Sequence, residues 1–88
     1  MALIFIPTSM RNLTGGVDKV TVEGSTLRQV VNNLDAVYPG MKERLCNGQQ
    51  IKPEIAVAID GEALEGGVLF EEVRESSEIH FLPAISGG

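Results

Sequence analysis

Hydrophobic and polar positions along the chain change period several times, and each change marks an element. Ala2-Leu-Ile-Phe-Ile6 is a short continuous apolar run closed by Pro7, the pattern of a buried strand. A loop over Thr8–Leu13 and a turn at Thr14-Gly15-Gly16 separate it from Val17–Glu23, where Val20 and Val22 recur in period two. The two runs therefore pair as a hairpin. From Gly24-Ser25-Thr26 the period lengthens. Leu27, Val30, Val31, Leu34 and Val37 follow helical spacing, with Thr26 placed to cap and Gln29 to complete a capping box. Pro39-Gly40 ends that helix, and Met41–Leu45 is long enough for one more helical turn before the break at Cys46-Asn47-Gly48.

The second half returns to strands. Ile55, Val57 and Ile59 alternate with alanines up to Asp60-Gly61, a strong signal for a two-residue hairpin turn. The return arm is Glu62–Leu64, broken by Glu65-Gly66-Gly67. Residues 68–77 are acidic and weakly apolar, and read as a loop with a turn of helix. Glu78–Leu82 is the last strand, stopped by Pro83. Ile79 and Phe81 share one face, which places His80 and Leu82 on the other. In the first strand both sets are apolar: either Ile4 and Ile6 face the helix and Leu3 and Phe5 face out, or the reverse. A strand apolar on both sides, with one helix to cover it, leaves a hydrophobic patch for a partner or a second copy.

One main helix covers one face of a sheet, so the class is α+β with a mixed sheet. The first and last strands carry the most continuous apolar runs, which makes them central and adjacent. The right-handed crossover rule then leads to a β-grasp, ubiquitin-like arrangement. It divides into a domain over residues 1–83 and a projecting, flexible tail over residues 84–88.

Composition narrows the function. The chain has 88 residues, enough for one modest core, and 43% are apolar, which excludes a disordered chain. Its net charge of −5 disfavours nucleic acid as a partner. The charge is uneven: residues 1–52 carry six basic and four acidic groups, whereas residues 53–88 carry one and eight. No apolar stretch reaches membrane-spanning length and no secretory signal precedes the domain, so cytoplasmic residence is expected and no membrane partner. With a single cysteine, Cys46, there is no disulfide framework and no cysteine-ligated metal site; no metal ligand cluster is expected. Lys42 and Arg44 stand near Cys46 in sequence, yet a packing role suits a lone thiol better than a reactive one. His80, mid-strand, reads as a structural or interface residue.

The exception is the end of the chain. Gly15-Gly16 and Gly66-Gly67 sit between elements, where glycine supplies turn geometry. Gly87-Gly88 closes no turn, and a terminal glycine pair is roughly a one-in-two-hundred event at average usage. Glycine there gives a slim backbone that fits a narrow channel in another protein and presents a terminal carboxylate. That carboxylate, with a pKa of roughly 3.5, is ionised at neutral pH and is a poor electrophile. Activation by ATP and Mg²⁺ would turn it into an acyl-adenylate open to a sulfur or nitrogen nucleophile. The chain has no phosphate-binding Gly-x-x-x-x-Gly-Lys-Ser/Thr loop, so a partner must bring the nucleotide.

With its tail Phe81-Leu82-Pro83-Ala84-Ile85-Ser86-Gly87-Gly88, the chain resembles the small ubiquitin-like sulfur carriers: the molybdopterin synthase small subunit, the thiazole-biosynthesis carrier and the cysteine-biosynthesis carrier. Ile6-Pro7-Thr8 with Arg11 and Thr14-Gly15-Gly16, the Gly24-x-Thr26-Leu27 helix opening and Tyr38-Pro39-Gly40 extend the resemblance over the whole chain. The Pro7–Gly16 stretch looks closest to the cysteine-biosynthesis branch. The resemblance implies a carrier and co-substrate, not an enzyme. In such a carrier an E1-like enzyme, using ATP and Mg, adenylates Gly88 and converts it to a thiocarboxylate. A sulfur acceptor such as a cysteine synthase, or alternatively a molybdopterin synthase large subunit, then receives the tail. Gly87, Ser86 and Ile85 would thread its channel. Leu82, His80 and Phe5 would be docking contacts. A different use of the same activated tail is protein modification through isopeptide bonds. No cofactor is expected to be bound by the carrier itself.

Overall fold

The computed structural model describes residues 1–48, 50–64 and 68–83. The first strand, β1 (Ala2–Phe5), pairs antiparallel with β2 (Lys19–Val22), Ala2 opposite Val22 and Phe5 opposite Lys19. Between them Thr8–Leu13 forms a 3-10 helix where the sequence suggested only a loop. Its buried Met10 gives the segment a hydrophobic anchor, and the hydroxyl of the buried Thr14 closes the turn by reaching the carbonyls of Val17 at 2.7 Å and Arg11 at 3.1 Å.

Helix α1 (Leu27–Val37) starts where the sequence placed it. The Thr26 hydroxyl accepts from the Gln29 backbone N–H at 3.3 Å. The reciprocal bond runs one residue earlier than a simple capping box: the Gln29 side-chain oxygen accepts from the Ser25 N–H and hydroxyl, both at 2.9 Å. Leu27, Val30, Val31 and Leu34 are buried, but Val37 is 60% exposed and departs from the predicted stripe. At 3.6 residues per turn the stripe drifts, and Tyr38 takes the inward place at the last turn. Gly24, just before the helix, has φ 148°. A Cβ there would lie 2.8 Å from both the Val30 backbone nitrogen and Val30 Cγ2, so the approach of chain to helix requires glycine.

Gly40, at φ 101°, leads into the short helix α2 (Met41–Leu45), whose Met41 and Leu45 are completely buried. The Asp35 carboxylate accepts from the N–H groups of Gly40 and Lys42 at 3.1 and 3.0 Å and ties the two helices. A small antiparallel pair follows, β3 (Cys46–Asn47) with β4 (Gln50–Ile51), which has no signal in the hydrophobic pattern. Next, β5 (Ile55–Ile59) and β6 (Glu62–Leu64) form the expected hairpin, with Asp60 and Gly61 at φ 52° and 84°. The last strand, β7 (Glu78–Pro83), lies parallel to β1 and antiparallel to β5.

Sheet order is β2-β1-β7-β5-β6, so the first and last strands are central and adjacent. The β1 facing that the pattern left open is decided: Ala2, Ile4 and Ile6 point into the core with Val57, Ile79 and Phe81. The segment from Val68 to Ser77 contains a 3-10 turn over Val68–Phe70 and runs across the start of α1. There the Leu27 N–H donates to the Glu71 carbonyl and the Val73 N–H to the Ser25 carbonyl, each at 2.9 Å, while Leu69, Val73 and Ser77 are buried. Residues 65–67 and the tail assigned to residues 84–88 lie outside the described residues. This mixed sheet with one main helix on one face is the β-grasp fold.

Candidate functional site

The face of the sheet away from α1 is built by strand alternation. With Ile4, Ile79, Phe81 and Val57 turned inward, Phe5, His80, Leu82, Ala56 and Ala58 fall on the opposite side. Register then aligns them in rows. Lys19, Phe5, His80, Ala58 and Ala63 follow one another across all five strands, and Ala56 stands opposite Leu82. The Phe5 and His80 rings stack with centroids 4.0 Å apart and an interplanar angle of 9°. Lys19 Nζ lies 5.6 Å from the Phe5 centroid, within the range of a cation–π contact worth about 0.5–1 kcal/mol at an exposed position. The alanines on the other side of His80 add little height, so the paired rings stand above the sheet.

Three residues that the sequence offered as docking contacts are thereby brought onto one surface. Leu82 is 49% exposed, two residues along β7 from His80, and Phe5 and His80 are half-buried by their mutual stacking. Exposing apolar side chains in the centre of a sheet has a hydration cost that a partner can recover. The remaining predicted site residues, Gly88, Gly87, Ser86 and Ile85, lie outside the described residues.

Where β1 and β7 end, this surface runs into a groove of about 930 Å³. Phe5, Ile55, Phe81 and Leu82 supply its apolar lining, and Arg11, Arg44 and Lys52 supply cations. β5 begins here, with Ile55 opposite Pro83, so the groove adjoins the last described residue of the chain. Sequence reasoning missed this convergence of cations. Arg44 and Lys52 are brought near each other by the β3–β4 pair, and Arg11 reaches the site through the 3-10 helix. No spacing in the chain encodes either. Lys19 was also missed, although the Lys19/Thr21 against Val20/Val22 alternation in β2 carries the signal.

Cys46 is buried at the end of α2, and burial pushes its thiol above the ordinary value of 9.0. Lys42 and Lys52 act in the opposite direction but do not outweigh desolvation. This thiol is therefore held neutral, consistent with packing. Among the described residues no group of three or more histidine, cysteine or acidic side chains is placed to hold a metal ion. No described helix is long and apolar enough to cross a membrane.

Comparison with known proteins gives consistent relationships. The ThiS family matches over residues 4–88. The sulfur carrier protein CysO of Mycobacterium tuberculosis is 30% identical over 89 aligned residues, covering 97% of this chain and 96% of the relative. The Mycobacterium bovis protein of the same name matches equally. Among solved structures, a chain of the Amycolatopsis orientalis BexX/CysO complex superposes with a TM-score of 0.91 at 29% identity, covering both chains fully. Mycobacterium tuberculosis CysO superposes with a TM-score of 0.89 at 28% identity, over 97% of this chain and all of that one. The archaeal modifier SAMP1 of Methanosarcina acetivorans shares the fold, with a TM-score of 0.80 at 21% identity over 99% of this chain and 95% of that one. From its strand order, its exposed central strands and these matches together, the chain belongs to the ThiS family of ubiquitin-like sulfur carriers.

Proposed function

We propose that this protein carries sulfur as a thiocarboxylate on Gly88, acting as a co-substrate of partner enzymes. Residues 1–83 form the recognition domain, and residues 84–88 form the segment that enters partner active sites. The observation that carries this reading is the extent of the family match, which runs through residue 88 and so includes the Gly87-Gly88 end. The solved complex of a CysO with BexX supports a role exercised through protein partners.

The chemistry follows from the carboxylate. An E1-like partner binding ATP and Mg²⁺ lets a Gly88 carboxylate oxygen attack the α-phosphorus, and pyrophosphate leaves. Hydrosulfide then adds to the glycyl carbonyl carbon and AMP departs, leaving the thiocarboxylate. Cysteine biosynthesis is the pathway proposed for the sulfur, with a cysteine synthase as acceptor, in keeping with the 30% identity to CysO. Gly87 and Ser86 keep the end of the threaded segment narrow, and Ile85 adds an apolar contact along it. Phe5, His80 and Leu82 form the surface against which partners seat.

Incubating the chain with the activating enzyme, ATP, Mg²⁺ and sulfide should add about 16 Da, the exchange of oxygen for sulfur. Deleting Gly88 should abolish the gain. A gain that persists without Gly88 refutes the proposal, and lysine-linked conjugates in place of a thiocarboxylate would assign the tail to protein modification instead.

A further inference from the structure

The groove beside the end of β7 has a charge that the rest of the molecule does not. The chain carries seven basic residues and a net charge of −5, yet Arg11, Arg44 and Lys52 all line this one concavity, with Glu54 the only acid among its described lining residues. These cations are positioned and uncommitted. Arg11 Nε donates to the Ile6 carbonyl at 3.1 Å, which fixes the guanidinium plane and leaves the two terminal amino groups for a carboxylate. Arg44 sits on the last turn of α2. The Lys52 N–H donates to the Leu45 carbonyl at 2.9 Å, holding Lys52 beside the end of that helix. Among the described residues the one ion pair is between the N-terminus and Glu75, so none of these three cations has a carboxylate partner there.

We infer that the groove binds an acidic, extended segment of the protein that receives the tail. Its carboxylates would meet Arg11, Arg44 and Lys52, and an apolar side chain would rest on Ile55 and Leu82. This inference rests on the carrier reading and adds to it the chemistry of the partner's segment. Complementary charge is the selecting term. A locally basic groove on an acidic molecule attracts an acidic segment to one place and repels it elsewhere, which orients the encounter as well as strengthening it. Its location adds a second effect. The groove adjoins Pro83, so a partner seated here holds the tail at its root while the end is being worked on.

The test uses the full-length chain, labelled with ¹⁵N, and two synthetic six-residue peptides, one alternating Glu and Leu and the other alternating Gln and Leu. The Glu/Leu peptide should shift the amide resonances of Arg11, Lys52 and Ile55, and should bind about tenfold more tightly than the Gln/Leu peptide. Raising the salt concentration should weaken it. The variant K52E, whose side chain makes no hydrogen bond among the described residues, should reduce Glu/Leu binding about three- to tenfold with an otherwise unchanged spectrum. In a sulfur-transfer assay with the acceptor that receives the tail it should raise the half-saturating carrier concentration by a similar factor. Equal binding of the two peptides, absence of binding, or shifts confined to the Lys19–Phe5 side of the sheet would overturn the inference. Peptide binding requires no activation chemistry, so a missing 16 Da gain and a silent groove are separate failures.

Discussion

The two faces of the five-stranded sheet are made from the same strands, and in β1 from equally apolar residues, yet they have opposite fates. On one face Ile4, Val57, Ile79 and Phe81 are sealed beneath α1 and α2. On the other, Phe5, His80 and Leu82 remain partly or largely in water, propped by one stacked pair and one lysine. Hydrophobicity alone does not separate the two. What separates them is the supply of covering elements: a chain of 88 residues with one main helix can cover one face only. The covered face is the source of stability, and the open face is available for recognition.

The sharpest way to break that comparison is to truncate one residue from each face of β7. Ile79→Ala should cost about 2–5 kcal/mol in chemical denaturation, enough to unfold much of a domain this small. Leu82→Ala should cost less than about 1 kcal/mol while weakening partner binding. Equal losses of stability would mean that the open face is part of the core. A smaller effect is expected at the seam between sheet and helix. Gly24→Ala forces a Cβ to within 2.8 Å of Val30 backbone and side chain at φ 148°, and should destabilise by about 1–3 kcal/mol. An unchanged melting temperature would show that the strand-to-helix approach relaxes freely. The smallest effect concerns Cys46. Its folded thiol titrates above 9.0, so above that pH the unfolded chain loses its proton first and native stability falls as pH rises. Below 9.0 the contribution is fully present. Cys46→Ala should flatten this alkaline slope in denaturation curves recorded across pH 8 to about 11, and a slope identical to the wild type's would assign it to other groups.

Much of this architecture is legible in the order of residues because the signals are local. The Asp60-Gly61 turn, the Thr26 cap and the inward parity of Ile79 and Phe81 each depend on neighbours within a few positions. The 3-10 helix at Thr8–Leu13 and the strap from Val68 to Ser77 were not legible to the same degree. Both are held by partners distant in sequence or by single buried anchors such as Met10 and Val73. Val37 shows the limit from the other side: correct spacing placed it on the apolar stripe, and helical drift in the folded packing put Tyr38 there instead.

For the candidate site the division is similar. The Gly87-Gly88 pair and the outward direction of His80 and Leu82 are properties of the sequence itself, because one is a pair of adjacent residues and the other follows from strand period. The facing of β1 was undecidable locally, since Leu3, Ile4, Phe5 and Ile6 are all apolar. Pairing with β2 and β7 decided it, and that same pairing set Phe5 against His80. Only the tertiary structure gathered Arg11, Arg44 and Lys52 beside the end of β7. Charges far apart in the chain become one electrostatic site only when folding fixes the distances between them.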